Sequence, residues 1–148
     1  MRSRPASSVL DRLRTRLRGA GLRSTGPRLS VLRVLEGATS PMSHAEVHEA
    51  LDAEGLDRAT VYRNLMDLTD AGLVSRSDMG DHVWRFELRG EGAAHPNAHA
   101  HFVCVDCGDV SCLPDKVVRI VASGIGVPKS LEQRRVEVQV KGVCDRCT

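Results

Sequence analysis

The eighteen residues from His95 to Cys112 hold three histidines and three cysteines, and the other two cysteines, Cys144 and Cys147, form a second Cys-x-x-Cys further on. Two thiols separated by two residues are presented to one ion by a tight knuckle. Two such knuckles make a tetrahedron of the softness that suits zinc. Cys104, Cys107, Cys144 and Cys147 are therefore expected to hold a structural Zn2+. The stretch after about residue 98 has only some fifty residues, and a core that small generally needs a staple. A redox dithiol lacks the expected strand and helix pattern around it. Two disulfides agree poorly with an odd cysteine count and with a basic N-terminus that no apolar signal-peptide core follows.

His99 and His101 lie two apart in a run that reads as extended, so both imidazoles project from one face and Phe102 and Cys104 from the other. Cys112, on the neighbouring strand, completes a patch with them, and Glu87 offers an oxygen ligand from the end of a preceding hairpin. Converging, Glu87, His99, His101 and Cys112 would close a second metal site of nitrogen, sulfur and oxygen ligands around zinc. Paired His-x-His also occurs on ordinary solvent faces. His44 and His48, one helical turn apart, read as a polar surface pair. His82 reads as part of a turn, and His95 as an auxiliary ligand at most.

The chain ahead of this stretch is helical and then alternating. Val9, Leu10, Leu13 and Leu17 predict an amphipathic helix over Ser8 to Arg18, ended by Gly19 and Gly21. A second starts near Pro27 with Thr25 as cap and carries Leu29, Leu32, Val34 and Leu35. Ser43-His-Ala-Glu46 is a capping box for a third, which buries Val47, Ala50 and Leu51. The fourth, Ala59 to Ala71, turns Val61, Leu65 and Leu68 inward and leaves Thr60, Tyr62, Arg63, Asn64 and Asp67 on the other side. Leu73 to Ser77 and Val83 to Leu88 are a hairpin. Helices followed by a hairpin are the order of a winged helix-turn-helix. Residues 89–98 read as a linker. Strands at His99 to Val105, Val110 to Leu113 and Arg134 to Lys141, with a helix at Asp115 to Ser123, complete an α+β chain. Its expected parts are a winged-helix domain over 1–88, the linker, and a small α/β domain over 99–148.

From Met1 to Arg33 there are nine arginines against one acid, Asp11. A field of that sign favours a polyanion, nucleic acid being the common one, although an arginine-rich helix face can simply be solvated. No run of about 18 apolar residues offers a membrane span, and a cytoplasmic protein is expected. A zinc enzyme such as a deaminase needs a glutamate directly beyond the histidine ligand and an open zinc position. His99-Ala-His101 lacks that glutamate and the four-cysteine site is closed, so no enzyme is expected. A zinc-stabilised interaction module without DNA binding is a further alternative.

Four segments, Ala20-Gly-Leu-Arg-Ser-Thr-Gly-Pro-Arg28, Ala59-Thr-Val-Tyr-Arg-Asn-Leu65, His99-Ala-His-Phe-Val-Cys-Val-Asp-Cys-Gly108 and Gly142-Val-Cys-Asp-Arg-Cys147, together resemble the ferric uptake regulator family of bacterial metal-sensing repressors. The resemblance implies a homodimer with an N-terminal winged-helix domain and a C-terminal dimerisation domain, closed by corepressor metal onto a palindromic double-stranded DNA operator. It places Thr60, Tyr62, Arg63 and Asn64 on the recognition helix, with Tyr62 meeting thymine methyls and Arg63 bases or phosphates. Arg23 reaches toward the minor groove. Arg28 lies near the DNA backbone or in a structural salt bridge. His99, His101 and Glu87 fall on regulatory ligands, whereas Cys112 stands where many members carry a carboxylate. Pro41 and Val136 replace two further histidines, so the additional site built on the last of these is not expected. A thiolate in place of a carboxylate favours zinc over ferrous iron or manganese, and peroxide sensing depends on an aspartate where Glu87 stands. Zinc regulators usually carry their cysteine nearer the hairpin's end, so the argument from Cys112 is chemical. On that argument the expectation is a zinc uptake regulator, with Fe2+ or Mn2+ as the alternative corepressor.

Overall fold

The computed structural model describes residues 7–90, 99–114, 116–119, 126–132 and 137–148, and the chain divides into two compact units, 1–89 and 90–148. In the first, α1 (Ser7–Gly19) buries Leu13 and Leu17, four apart and so on one face. It stops where Gly21 takes φ +76° and the Leu22 N–H reaches back to the Leu17 carbonyl at 2.9 Å, a closure that satisfies the last carbonyls of the helix. In α2 (Gly26–Gly37) Thr25 holds the cap position and a proline sits in the first turn, but the threonine hydroxyl makes no capping bond. Val31, Leu32 and Leu35 are its buried residues, with Leu29 and Val34 partly buried beside them.

The capping box is present. Ser43 Oγ accepts from the Glu46 N–H, the Glu46 carboxylate accepts from the Ser43 N–H, and α3 (His44–Ala50) follows. Val47 and Leu51 are fully buried while Ala50 is exposed. After a single 3-10 turn, α4 (Arg58–Asp70) buries Val61, Leu65 and Leu68, the apolar stripe that the spacing required. It ends as α1 does, at Gly72 with φ +77° and a Leu73 N–H to Leu68 carbonyl bond of 3.0 Å.

Strands β2 (Val74–Asp78) and β3 (Trp84–Leu88) pair antiparallel from Val74 opposite Leu88 to Asp78 opposite Trp84. Val74 and Phe86 are buried in the helical core. The Asp78 carboxylate closes the turn, accepting from the N–H groups of Gly80 and His82. A two-residue β1 (Met42–Ser43) adds to the free side of β3, Met42 opposite Phe86, and so ties the approach to α3 onto the sheet. The order of helices followed by a three-stranded sheet is a winged helix-turn-helix.

The second unit is built on β4 (His101–Cys104), flanked by antiparallel β5 (Val110–Cys112) and parallel β6 (Gln139–Gly142). Gly142 is required by close approach, since a Cβ there would lie 3.1 Å from the Phe102 ring. The strands are shorter than expected. His99 lies in a bend before β4, and 137–138 precede β6 without being strand. Residues 134–136, His95 and most of the linker lie outside the described residues. The helix expected over Asp115 to Ser123 is not formed at 116–119, where the Val117 N–H returns to the Pro114 carbonyl at 2.9 Å and makes a turn only. One such bond does not offset the loss of backbone entropy that a helix requires. Residues 115 and 120–125 lie outside the described residues. A four-residue helix, α5 (Lys129–Glu132), follows Pro128 and had no counterpart in the sequence pattern.

Candidate metal centres and nucleic-acid face

The two knuckles meet. β4 delivers Cys104, and its carbonyl accepts from the Gly108 N–H at 3.0 Å with Gly108 at φ +72°, a tight loop that brings Cys107 back over Cys104. β6, paired with β4, leads directly to Cys144, whose carbonyl accepts from the N–H groups of Cys147 and Thr148. All four sulfurs lie within 4.8 Å of one another, and Cys107 and Cys144 are 3.8 Å apart. A tetrahedron with Zn–S bonds of about 2.3 Å has edges of roughly 3.8 Å, and no disulfide joins any of the five cysteines. The donor set fits a closed structural zinc.

The electrostatics agree. The N–H groups of Cys107 and Cys144 aim at the Cys104 sulfur and lower its pKa to about 6, whereas the other sulfurs around Cys147 push its thiol up to about 12. Four adjacent thiolates repel one another, so the cluster keeps protons until a cation displaces them. Arg146 and Asp109, one from each knuckle, form an ion pair of 2.6 Å across the pair.

The second donor group also sits on β4. His101 is directly opposite Cys112, so their side chains share a face. The His99 ring lies against His101, with centroids 4.7 Å apart at 68°. Ligand atoms of the three residues lie within 4.8 Å of one another, and His101 is buried. Two imidazoles and a thiol make a borderline-soft set that suits zinc and also accepts other divalent metals. Glu87 belongs to the first unit, next to last on β3 and opposite Ser75.

On the first unit, α4 presents Tyr62, 46% exposed, and Arg63 to solvent. Thr60 and Asn64 are internally engaged. The Thr60 hydroxyl donates to Asp57 at 2.9 Å and the Asn64 amide to the Thr60 carbonyl at 2.7 Å. Asp57, which the sequence pattern did not single out, caps α4 by accepting from the Thr60 N–H at 2.8 Å. Asp three residues ahead of a threonine is an ordinary cap signal, obscured because the apolar stripe starts only at Val61. The two Thr60 hydrogen bonds hold the Asp57 carboxyl below its usual value. Its stabilising contribution is thus complete above the unfolded value and lost as pH falls through the lowered folded one. We expect Asp57→Ala to lower the Tm near neutral pH. Asp57→Asn should retain most of the cap and lose the acid sensitivity, which thermal melts across pH ~6 to ~2 would show.

The N-terminal arginines are largely paired. Arg12 meets Glu36, Arg14 meets Asp11, Arg33 meets Glu54, and Arg16 donates to the Arg89 carbonyl. Arg28 bridges Asp67 at 2.9 Å and the Arg23 carbonyl at 3.2 Å, joining α2 to α4. Arg18 and Arg23 are exposed with no ion pair among the described residues. Counting arginines therefore overstates the field available to a polyanion. His44 has partners on the following helix. Its Nε2 donates to the Arg58 carbonyl at 2.8 Å and its ring packs on Tyr62, a pairing that no sequence spacing signalled.

The family model described as "Ferric uptake regulator family" matches residues 19–139. The chain belongs to the ferric uptake regulator family. It is 31% identical over 141 residues to the ferric uptake regulation protein of Bacillus subtilis (strain 168), covering 93% of each chain. It is 35% identical over 134 residues to that of Legionella pneumophila, covering 88% of this chain and 95% of the relative. The solved ferric uptake regulator of Vibrio cholerae superimposes with a TM-score of 0.63 at 31% identity, over 88% of this chain and 98% of that one. As a ferric uptake regulator family member the chain is a metal-dependent transcription regulator rather than an enzyme. The relatives are named for iron, so the finer expectation of a zinc uptake regulator has no support from their names. No helix among the described residues is long and apolar enough to cross a membrane.

Proposed function

We propose that the chain is a homodimeric repressor whose DNA affinity is switched by a divalent corepressor, with iron the metal favoured by the relatives. The observation that carries the reading is the pair of donor groups on β4: a closed four-sulfur cluster at one end, and His99, His101 and Cys112 at the other. The first has the chemistry of a permanent staple and the second of an exchangeable site. By resemblance Glu87 is the fourth regulatory ligand. A metal that binds the DNA-competent state more tightly makes its own binding energy available for fixing the DNA-binding units, as reciprocal coupling requires.

Recognition rests on Tyr62 and Arg63, the exposed side chains of α4, with Arg23 contacting the flanking backbone or minor groove. Thr60 and Asn64 contribute by shaping the helix start, and Arg28 holds Arg23 and α4 in place. The exposed polar face of a helix in the second motif position is the element that enters a major groove, and the Vibrio cholerae regulator is described as having DNA-binding domains.

Zinc is the second reading at the regulatory site, because Cys112, opposite His101, gives the site a thiolate, and soft ligands select zinc over ferrous iron and manganese. Both readings are tested together. A 40-base-pair duplex selected from a randomised pool by the metal-loaded protein is titrated anaerobically with protein carrying Fe(II), Mn(II), Zn(II) or no regulatory metal. The switch predicts tighter binding with metal, and the order of the three metals identifies the corepressor. Equal affinity with and without every metal would sink it.

A further inference from the structure

We propose that His44 is a specificity-positioning residue, which fixes the Tyr62 ring for base readout by clamping it against the start of the recognition helix. This rests on the reading of α4 as the DNA-contacting helix. Two independent contacts carry it. The His44 Nε2 lies 2.8 Å from the Arg58 carbonyl. A carbonyl only accepts, so Nε2 carries the proton and donates. Arg58 is the first residue of α4, whereas His44 is the first of α3. The bond therefore pins the N-terminus of one helix of the motif to the N-terminus of the other. The imidazole also meets the Tyr62 ring edge-on, with centroids 5.4 Å apart at 62°, an attractive arrangement for two aromatic rings.

Tyr62 would otherwise be a loosely held side chain. It is 46% exposed on a helix surface, and no hydrogen bond of its hydroxyl is among those described. A ring that must be ordered on binding loses affinity to that ordering, and a neighbour that orders it beforehand removes the loss. His44 is itself held on both sides, by the Ser43–Glu46 capping box that starts α3 and by the Arg58 carbonyl. The apolar edge of a tyrosine distinguishes thymine from other bases by its methyl group, and that contact depends on where the ring stands. His44 therefore governs selectivity at the thymine that Tyr62 meets, while overall attraction to the phosphates depends on the arginines.

The chain has one tyrosine, so isotopically labelled tyrosine reports on Tyr62 alone. In the metal-loaded full-length protein, His44→Ala is expected to shift the Tyr62 ring resonances toward those of a free side chain. It should also weaken binding to the selected duplex about 3- to 10-fold, the range expected for one newly mobile side chain. Replacing each thymine of that duplex in turn by uracil, which lacks the methyl, should weaken wild-type binding at a particular position and leave His44→Ala indifferent there. His44→Phe keeps a ring and should restore the thymine preference. His44→Gln keeps only a donor and should not. An unchanged uracil penalty in His44→Ala overturns the proposal, as does equal restoration by Gln and Phe. If wild-type protein selects no duplex under any metal, the DNA-binding reading fails as well, and the tyrosine resonances still show separately whether His44 holds the ring.

Discussion

Cys144→Ser is expected to unfold the second unit and leave the first intact. Serine's hydroxyl stays protonated at neutral pH and does not replace an anionic sulfur ligand. The substitution also removes a group at the centre of the knuckle, since Cys144 lies 3.8 Å from Cys107 and its N–H donates to the Cys104 sulfur at 3.4 Å. Structural zinc supplies about 10–16 kcal/mol in zinc-finger peptides, comparable to the ~5–15 kcal/mol stability of a whole domain. In the second unit Ala100, Val103 and Cys104 are the buried apolar residues among those described. Three strands of four, three and four residues gain much of their stability from a metal that ties their ends together. Hydrogen exchange followed by mass spectrometry should show protection lost across β4, β5 and β6 and kept in α1 to α4, with metal content falling and the proposed dimer lost in sedimentation. Stoichiometric metal with unchanged protection in the variant would refute the assignment of the staple.

His101→Ala is expected to leave a protein that keeps its sulfur-bound metal but whose DNA affinity no longer responds to added metal. His101 is 4% exposed and opens the middle strand of its sheet, opposite Cys112 and Gln139. Its loss removes the ligand that links His99 to Cys112. Couplings between two sites are typically about 5- to 150-fold in affinity, and a loss of that order is expected for the variant. Cys112→Ser should act differently, by reordering metals. A site of nitrogen and oxygen ligands loses its preference for zinc and keeps iron or manganese. Anaerobic titrations of the selected duplex, run with each metal, measure both effects. An unaltered metal response in His101→Ala would show that the regulatory metal binds elsewhere.

Features that depend on residues within one or two turns of each other were legible in the chain. The Ser43–Glu46 box, the stripe of Val61, Leu65 and Leu68, and the two Cys-x-x-Cys knuckles all have this character. Each is a periodicity or spacing whose geometry the backbone imposes. The hairpin was legible for the same reason, because alternation and its turn residues lie side by side in sequence.

Features that join distant residues were not. β1 has two residues, too few for a pattern, and exists because the exposed side of β3 accepts it. The arginines of α1 and α2 find carboxylates and carbonyls far along the chain, so a count of charges could not say which remain available. The register that sets His101 opposite Cys112 was only a plausible convergence until strand pairing fixed it, since a shift of one residue would send the thiol to the other face. His44 read as a surface partner of His48 because both lie on one short helix. Its actual partners, Arg58 and Tyr62, come from the next helix. Local spacing was thus enough to dictate the helices and hairpin of the first unit and each of the two cysteine knuckles. Which side chains stay available for a ligand and which are held follows from packing in three dimensions, because it depends on pairings between elements that no local pattern encodes.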